Sequence, residues 1–483
     1  MIKKGIGVLV LAVVVVGTTS CQGPLGGGDI YHCQGEMAGE VTESGVILQS
    51  RLTGSDELIK GDVPGARGWG RFEVSESPEF SGSRLTEWVE AASENDFIIK
   101  QSIGGLEAGR RYYYRLIYGA DKRDTKRGRR CTFRTLEGAR GESEVNFVVV
   151  TGMNYHKFHH GSDTTEAYSG PDKDMGPPGL AAIAKVKPDF FVGTGDNVYF
   201  DHPQEAAART QAQLRKKYHE QFVQPRFAEL FSAVPTYWEK DDHDFRYDDA
   251  DNTGNTPPSP ELGKRTFLEQ LPVIWPEDEG ARTYRTHRVS RDLQIWLVEG
   301  RDYRSANNMP DGPGKSIWGD EQKEWLKGTL LESDAAFKIL ISPTPMVGPD
   351  DVWKRDNHTN PQGFKYEGER FFEWLAENGF LEKGFYVVCG DRHWQYHSVH
   401  PTGFEEFSCG ALVDANARIG RSPGDPRSTD PDALIKQPYI QPEAGGGFLR
   451  IKVSGGKDGG KPKITFAFYN RDGKLLYECR KER

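Results

Sequence analysis

Three short clusters of oxygen and imidazole donors punctuate this chain: Gly195-Asp196-Asn197-Val198-Tyr199, Trp238-Glu239-Lys240-Asp241-Asp242-His243-Asp244, and Gly390-Asp391-Arg392-His393. Asp, Tyr and His are the donors that hard and borderline cations take. The first and third clusters follow the apolar runs DFFVGT and FYVVC, which read as buried strands. In open α/β sheets, ligands bind beyond the carboxyl ends of the strands. A single aspartate after a strand is ordinarily a turn or cap residue. Three such clusters in one structural context point instead to a metal-dependent hydrolase. Asp241 and Asp244 flank the central pair as direct ligands or supporting groups.

Other residues are less specific. Arg301 and Arg304, in VEGRDYRS, leave a strand; a guanidinium is the natural bidentate partner of phosphate, and equally of a structural carboxylate. His358 lies in the polar loop KRDNHTN, where a rigid scaffold can aim it at a substrate. His156, His159 and His160 either contribute to the site or belong to a solvated loop. Trp296, Trp318, Trp325 and Trp374 read as core.

The elements that must position these groups change character along the chain. Between residues 34 and 138, short runs such as GVILQSRL, GRFEVS, DFIIKQSI and RRYYYRLIYG alternate with turn signals, which predicts an all-β sandwich. GLEAGRRYYYRL resembles the tyrosine corner of fibronectin-like sandwiches. DKRDTKRGRR reads as a hairpin turn and solvated loop rather than a nucleic-acid contact. Residues 139–483 alternate strand and helix: VNFVVVTG, LAAIAKVKP, DFFVGTGD, a long helix over 204–231, DLQIWLVEG, DEQKEWLKGTLLES, AFKILISP, RFFEWLAENG and GFYVVCGD. A β-hairpin with its turn at Asp472-Gly473 closes the chain.

With 483 residues, at least two domains are expected. A formal charge of −9 and a sequence pI near 5.8 disfavour a nucleic-acid binder, so an anionic substrate needs local compensation by metals and a few cations. Residues 1–21 read as a secretory signal: Lys3 and Lys4, then IGVLVLAVVVVG, too short to span a bilayer, then Thr18-Thr19-Ser20-Cys21. A small residue before Cys21 resembles a bacterial lipobox and predicts a lipid anchor at Cys21, with a plainly cleaved peptide as the alternative. Residues 22–33 form a Gly-rich tether. Of the remaining cysteines, Cys33 and Cys131 bracket the first domain and could link its outer strands.

Taken in order, these motifs resemble the alkaline phosphatase D (PhoD-like) family of the calcineurin-like metallophosphoesterases. KPDFFVGTGDNVYFD is similar to its GDxxY metal motif, WEKDDHDF to its WDDHD motif, IWGDEQKEWL to its Gln-and-Trp helix, and VVCGDRHW to its GDxH motif. GEMAGEVTESGVILQSRL and LEAGRRYYYRL with CTFRT resemble the family's N-terminal sandwich. The resemblance implies an α/β protein: a fibronectin/Ig-like sandwich followed by a four-layer α/β/β/α phosphoesterase domain. It implies two or more metal ions, iron and calcium, held by Asp196, Tyr199, Asp242, Asp391 and His393. A metal-bridging hydroxide would attack phosphorus, with His243 assisting the leaving oxygen and Arg301, Arg304 and His358 toward the substrate.

At the first strand exit, the family's iron-binding Cys is replaced by Met153. A thioether is a poor ligand for ferric iron or calcium, so Asn154 or water is expected in its place. The resulting expectation is an exported, monomeric enzyme of the periplasm or cell surface. It would hydrolyse phosphomonoesters or phosphodiesters and touch the membrane only through its lipid anchor. Two alternatives stay open: a phospholipid or wall-polymer phosphodiesterase, and a surface binding protein whose metal site has decayed.

Overall fold

The computed structural model describes residues 29–275, 281–455 and 460–483; the signal segment with Cys21 and most of the tether fall outside the described residues. Two large sheets pack face to face. The nine-stranded sheet runs, in spatial order, Leu475–Glu482, Lys463–Asn470, Gly447–Ser454, Val145–Val150, Phe190–Thr194, Thr236–Glu239, Glu36–Gly39, Val46–Arg51 and Ile98–Ile103. The seven-stranded sheet runs Arg285–Arg288, Leu293–Leu297, Phe337–Ser342, Phe385–Cys389, Glu405–Cys409, Gln395–Val399 and Lys436–Ile440. The central strands of both are parallel.

Strand periodicity explains the layering, since successive side chains leave opposite faces. Val145, Phe147 and Val149 point inward and pack with Phe190, Val192, Ile295, Ile339, Val388 and Phe466 between the sheets. Val148, Val150 and Phe191 point outward, beneath helices Pro178–Val186, Gln211–Phe222, Pro225–Phe231 and Pro260–Gln270. On the other side, Trp296, Leu340 and Val387 meet helices Gly319–Glu332 and Lys365–Glu377. The four-layer α/β/β/α arrangement follows, and Trp296 and Trp318 are fully buried in it.

A smaller sheet built on Gly68–Ser75 and Arg111–Gly119 completes the N-terminal sandwich. Its tyrosine corner is present: the Glu107 amide donates to Tyr112 Oη at 2.9 Å. The charged run closes a hairpin, Tyr118 pairing with Lys126.

Three expectations need correction. The sandwich is not separate from the α/β/β/α layers, because its first strand pairs in parallel with a central strand of the nine-stranded sheet, Gly39 opposite Thr236. The predicted helix over 204–231 is broken into Gln211–Phe222 and Pro225–Phe231, because Pro225 lacks the amide hydrogen that a continuous helix needs and starts a new one at its first position. Cys33 and Cys131 are both free thiols; Cys131 is buried with its Sγ 3.6 Å from Glu36 Oε2, and burial pushes that thiol well up.

Candidate metal centre

Five strand ends converge on one edge of the paired sheets. Phe190–Thr194 delivers Asp196, Thr236–Glu239 delivers the Asp241–Asp244 run, and Phe385–Cys389 delivers Asp391 and His393. Val145–Val150 and Leu293–Leu297 contribute Met153 and Arg301. Asp196 and Asp391 share one backbone device: each follows a glycine and is itself left-handed, with φ of 56°. Non-glycine residues held there are strained and cluster at functional sites. The preceding glycines permit close approach. A Cβ on Gly195 would lie 2.4 Å from Asp241 Cβ, and one on Gly390 would lie 2.3 Å from the Thr194 carbonyl oxygen.

The convergence is tight. His393 Nε2 lies 2.9 Å from Asp196 Oδ2, and Tyr199 Oη donates to the same oxygen at 2.7 Å. Tyr199 Oη and His393 Nε2 are 3.2 Å apart. Asp196, Asp242 and His243 offer ligand atoms within 4.8 Å of one another; so do Asp201, His202 and His243, and Asp242, Asp248 and Asp249. The structure thus brings Asp196, Tyr199, Asp242, His243 and His393 together. Asp391 is adjacent; Arg392 donates to its Oδ2 at 2.7 Å, and the Asp391 carboxylate adds to the burial that raises the Asp241 carboxyl.

The electrostatics of this cluster fit a cation. Asp196 Oδ1 and Asp241 Oδ2 are buried with no hydrogen-bond partner among the described residues. Burial, with Asp242 and Asp241 close by, pushes the Asp196 carboxyl well above the usual range. Burial likewise drives Asp241 and Asp249 up to about 8. Carboxylates that oppose one another's ionisation in a dry site are relieved by a bound positive charge. The donors are oxygen and imidazole, suited to hard and borderline ions.

Other expected site residues are placed differently. Arg301 is fully buried: its Nε donates to Asp241 Oδ1 at 2.6 Å and one Nη to the Ala250 carbonyl at 2.8 Å, while the other Nη faces Asp356 Oδ2 at 3.5 Å. It braces the acidic loop. Arg304 is also buried, donating to the Gly300 carbonyl at 2.6 Å and lying against Phe364. His358 does not open toward a substrate; its Nε2 is 3.0 Å from Glu367 Oε2 and its ring packs on Trp318. Asn154 does not fill a ligand gap. It caps helix Tyr155–His160 by accepting from the Lys157 amide at 2.9 Å, and its Nδ2 reaches His202 Nδ1 at 2.6 Å. Met153 packs its thioether in the outer apolar core, and its amide donates to the Asp196 carbonyl at 2.9 Å.

Several groups at the site had escaped the motifs. Asn416 Nδ2 donates to Tyr199 Oη at 2.7 Å, and Asp201 Oδ1 lies 2.7 Å from His243 Nδ1. Asp201 ends the KPDFFVGTGDNVYFD run and His202 follows it, so both stood within reach of that motif. Asn416, in a short 3₁₀ turn after a distant strand, had none. Burial, reinforced by the positive charges of Arg418 and Lys157, holds the His393 imidazole well below the usual range.

Comparison with known proteins places the chain in a family. The family profile "PhoD-like phosphatase" matches residues 147–438, and "PhoD-like phosphatase, N-terminal domain" matches 31–136. Alkaline phosphatase D of Bacillus subtilis is 21% identical over 453 residues, covering 84% of this chain and 73% of that protein. A solved structure of PhoD superposes with a TM-score of 0.69 at 16% identity, covering 94% of this chain and 93% of that one. Purple acid phosphatase PPD1 from yellow lupin seeds shares the fold at 12% identity with a TM-score of 0.57, over 93% of this chain and 74% of that one. With its sandwich, its paired sheets and its acidic strand ends accounted for, the chain belongs to the PhoD-like phosphatases.

Proposed function

We propose that this phosphatase is exported, is held at the cell surface or in the periplasm by lipid on Cys21, and hydrolyses phosphomonoesters and phosphodiesters at the strand-end cluster. The observation that carries the reading is the contact triangle of Asp196, Tyr199 and His393 beside Asp242 and His243. Asp196, Tyr199, Asp242, Asp391 and His393 are the residues that would hold two metal ions, with iron and calcium as the candidates by family. Bound there, such ions supply charge neutralisation at phosphorus and lower the pKa of water.

The chain's own groups do the rest. Asp201 fixes His243 through Nδ1, leaving Nε2 with Asp248 Oδ1 no nearer than 3.7 Å. Burial opposes charge on this imidazole, but Asp242, Asp201 and Asp196 outweigh it and raise its pKa well above the usual value. With Nδ1 held by Asp201, Nε2 is the ring atom that can give a proton to a leaving oxygen. Asn416 fixes the Tyr199 hydroxyl. Lys157 and Arg418, both partly exposed, attract the anionic ester. Arg301 keeps Asp241 and the loop around Asp242 in place.

The test is metal analysis of the purified mature protein combined with hydrolysis of an aryl phosphate and a bis-aryl phosphate. Stoichiometric metal and chelator-sensitive turnover of either ester support the reading. A folded protein that binds no metal and turns over neither ester would be a surface binding protein instead.

A further inference from the structure

A second donor cluster lies away from the catalytic edge. His397, on strand Gln395–Val399, Glu405, on Glu405–Cys409, and Cys479, on Leu475–Glu482, offer one ligand atom each within 4.8 Å of one another. The first two belong to the seven-stranded sheet, and Cys479 belongs to the outermost strand of the nine-stranded sheet. We propose that these three side chains form a metal site of their own, for a zinc-class cation, that clips the outermost strand of the larger sheet to the smaller one.

The chemistry of the donors supports this. A thiolate, an imidazole and a carboxylate make a set that zinc accepts in tetrahedral geometry with water as the fourth ligand. Tetrahedral zinc wants its ligand atoms about 3.3–3.8 Å apart. His397 Nε2 and Glu405 Oε2 now share a hydrogen bond at 2.7 Å, so they must part by about 0.6 Å for a metal to enter.

The surroundings hold each donor in the required orientation. Tyr477 Oη lies 3.0 Å from His397 Nδ1, which leaves Nε2 as the ligating nitrogen. The His397 ring stacks on Phe407 at 4.4 Å, and Phe407 stacks on Phe466 of the opposite sheet at 3.9 Å, so the imidazole cannot swing away. Cys479 is the register partner of Phe466. Lys481 Nζ takes the other oxygen of Glu405 at 2.7 Å, keeping Oε2 directed at the histidine. The thiol is partly buried and protonated, so metal uptake releases its proton.

A cobalt titration tests the site independently of hydrolysis, because the catalytic cluster contains no thiolate. Metal-free protein, kept reduced with a phosphine, is titrated with Co²⁺ and read in the near ultraviolet. A thiolate-to-cobalt charge-transfer band is expected in the wild type and is lost in Cys479→Ser and in His397→Gln. Native mass spectrometry should then find one zinc fewer per chain in folded Cys479→Ser than in the wild type. Absence of the band in the wild type overturns the proposal. So does a band that persists in Cys479→Ser, which would place the ligand at another cysteine. Equal zinc content in the two proteins overturns it as well.

Discussion

Asp196 is the anion on which Tyr199 and His393 meet, and its chemistry is separable by substitution from that of His243. Asp196→Asn removes the anion shared by Tyr199 and His393; activity should fall to background and bound metal should drop, as read by elemental analysis. His243→Ala should slow turnover about 10²–10⁴-fold while leaving metal content nearly intact. The crowded carboxylates give a pH signature. Asp241 and Asp249 have folded-state pKa values near 8, far above their unfolded values. A raised carboxyl pKa contributes stability at low pH that is lost as pH rises through the folded value. Chelated protein should therefore lose melting temperature between about pH 5 and 8, while metal-loaded protein should not. Parallel melting curves for the two forms would contradict that. At this scale the sequence was largely readable, since Asp, Tyr and His after apolar runs are local signals. Asn154 misled because an Asn before a helix and an Asn beside a metal look identical in sequence; the helix starting at Tyr155 decides between them.

Elements explain the places where single residues misled. Met153 stands where a cysteine was expected, but its strand-exit backbone holds Asp196 while its side chain fills the outer core. Met153→Leu should cost under about 1.5 kcal/mol and leave metal content and turnover unchanged. A metal defect in that variant would restore the thioether to the centre. Glu40 follows the first strand of the sandwich and grips Arg285 of the second sheet through both oxygens, at 2.5 and 2.9 Å. Burial raises this carboxyl, but Arg285 and His287 more than offset that and hold it down to about 2. The sign is that of a depressed acid: its contribution is whole above the unfolded value and is lost as pH falls toward 2. Glu40→Gln should destabilise the protein by about 3 kcal/mol at neutral pH and flatten the acid limb of its stability curve, measured by denaturant unfolding. Nothing in the sequence announced this pair, because its members are far apart in the chain and each reads as a surface charge.

Across the whole molecule, period-2 runs giving way to alternating strands and helices made both architectures legible. What stayed hidden was their union, since pairing between distant strands depends on which edges meet. Gly39 opposite Thr236 makes the sandwich the next three strands of the catalytic sheet. In terms of inheritance, this chain is not a catalyst with an accessory module attached. Loss of residues 34–138, or their exchange for another fold, would leave the strand that presents the acidic loop as a bare sheet edge. The two halves therefore share one fate: a change at the seam is felt by both.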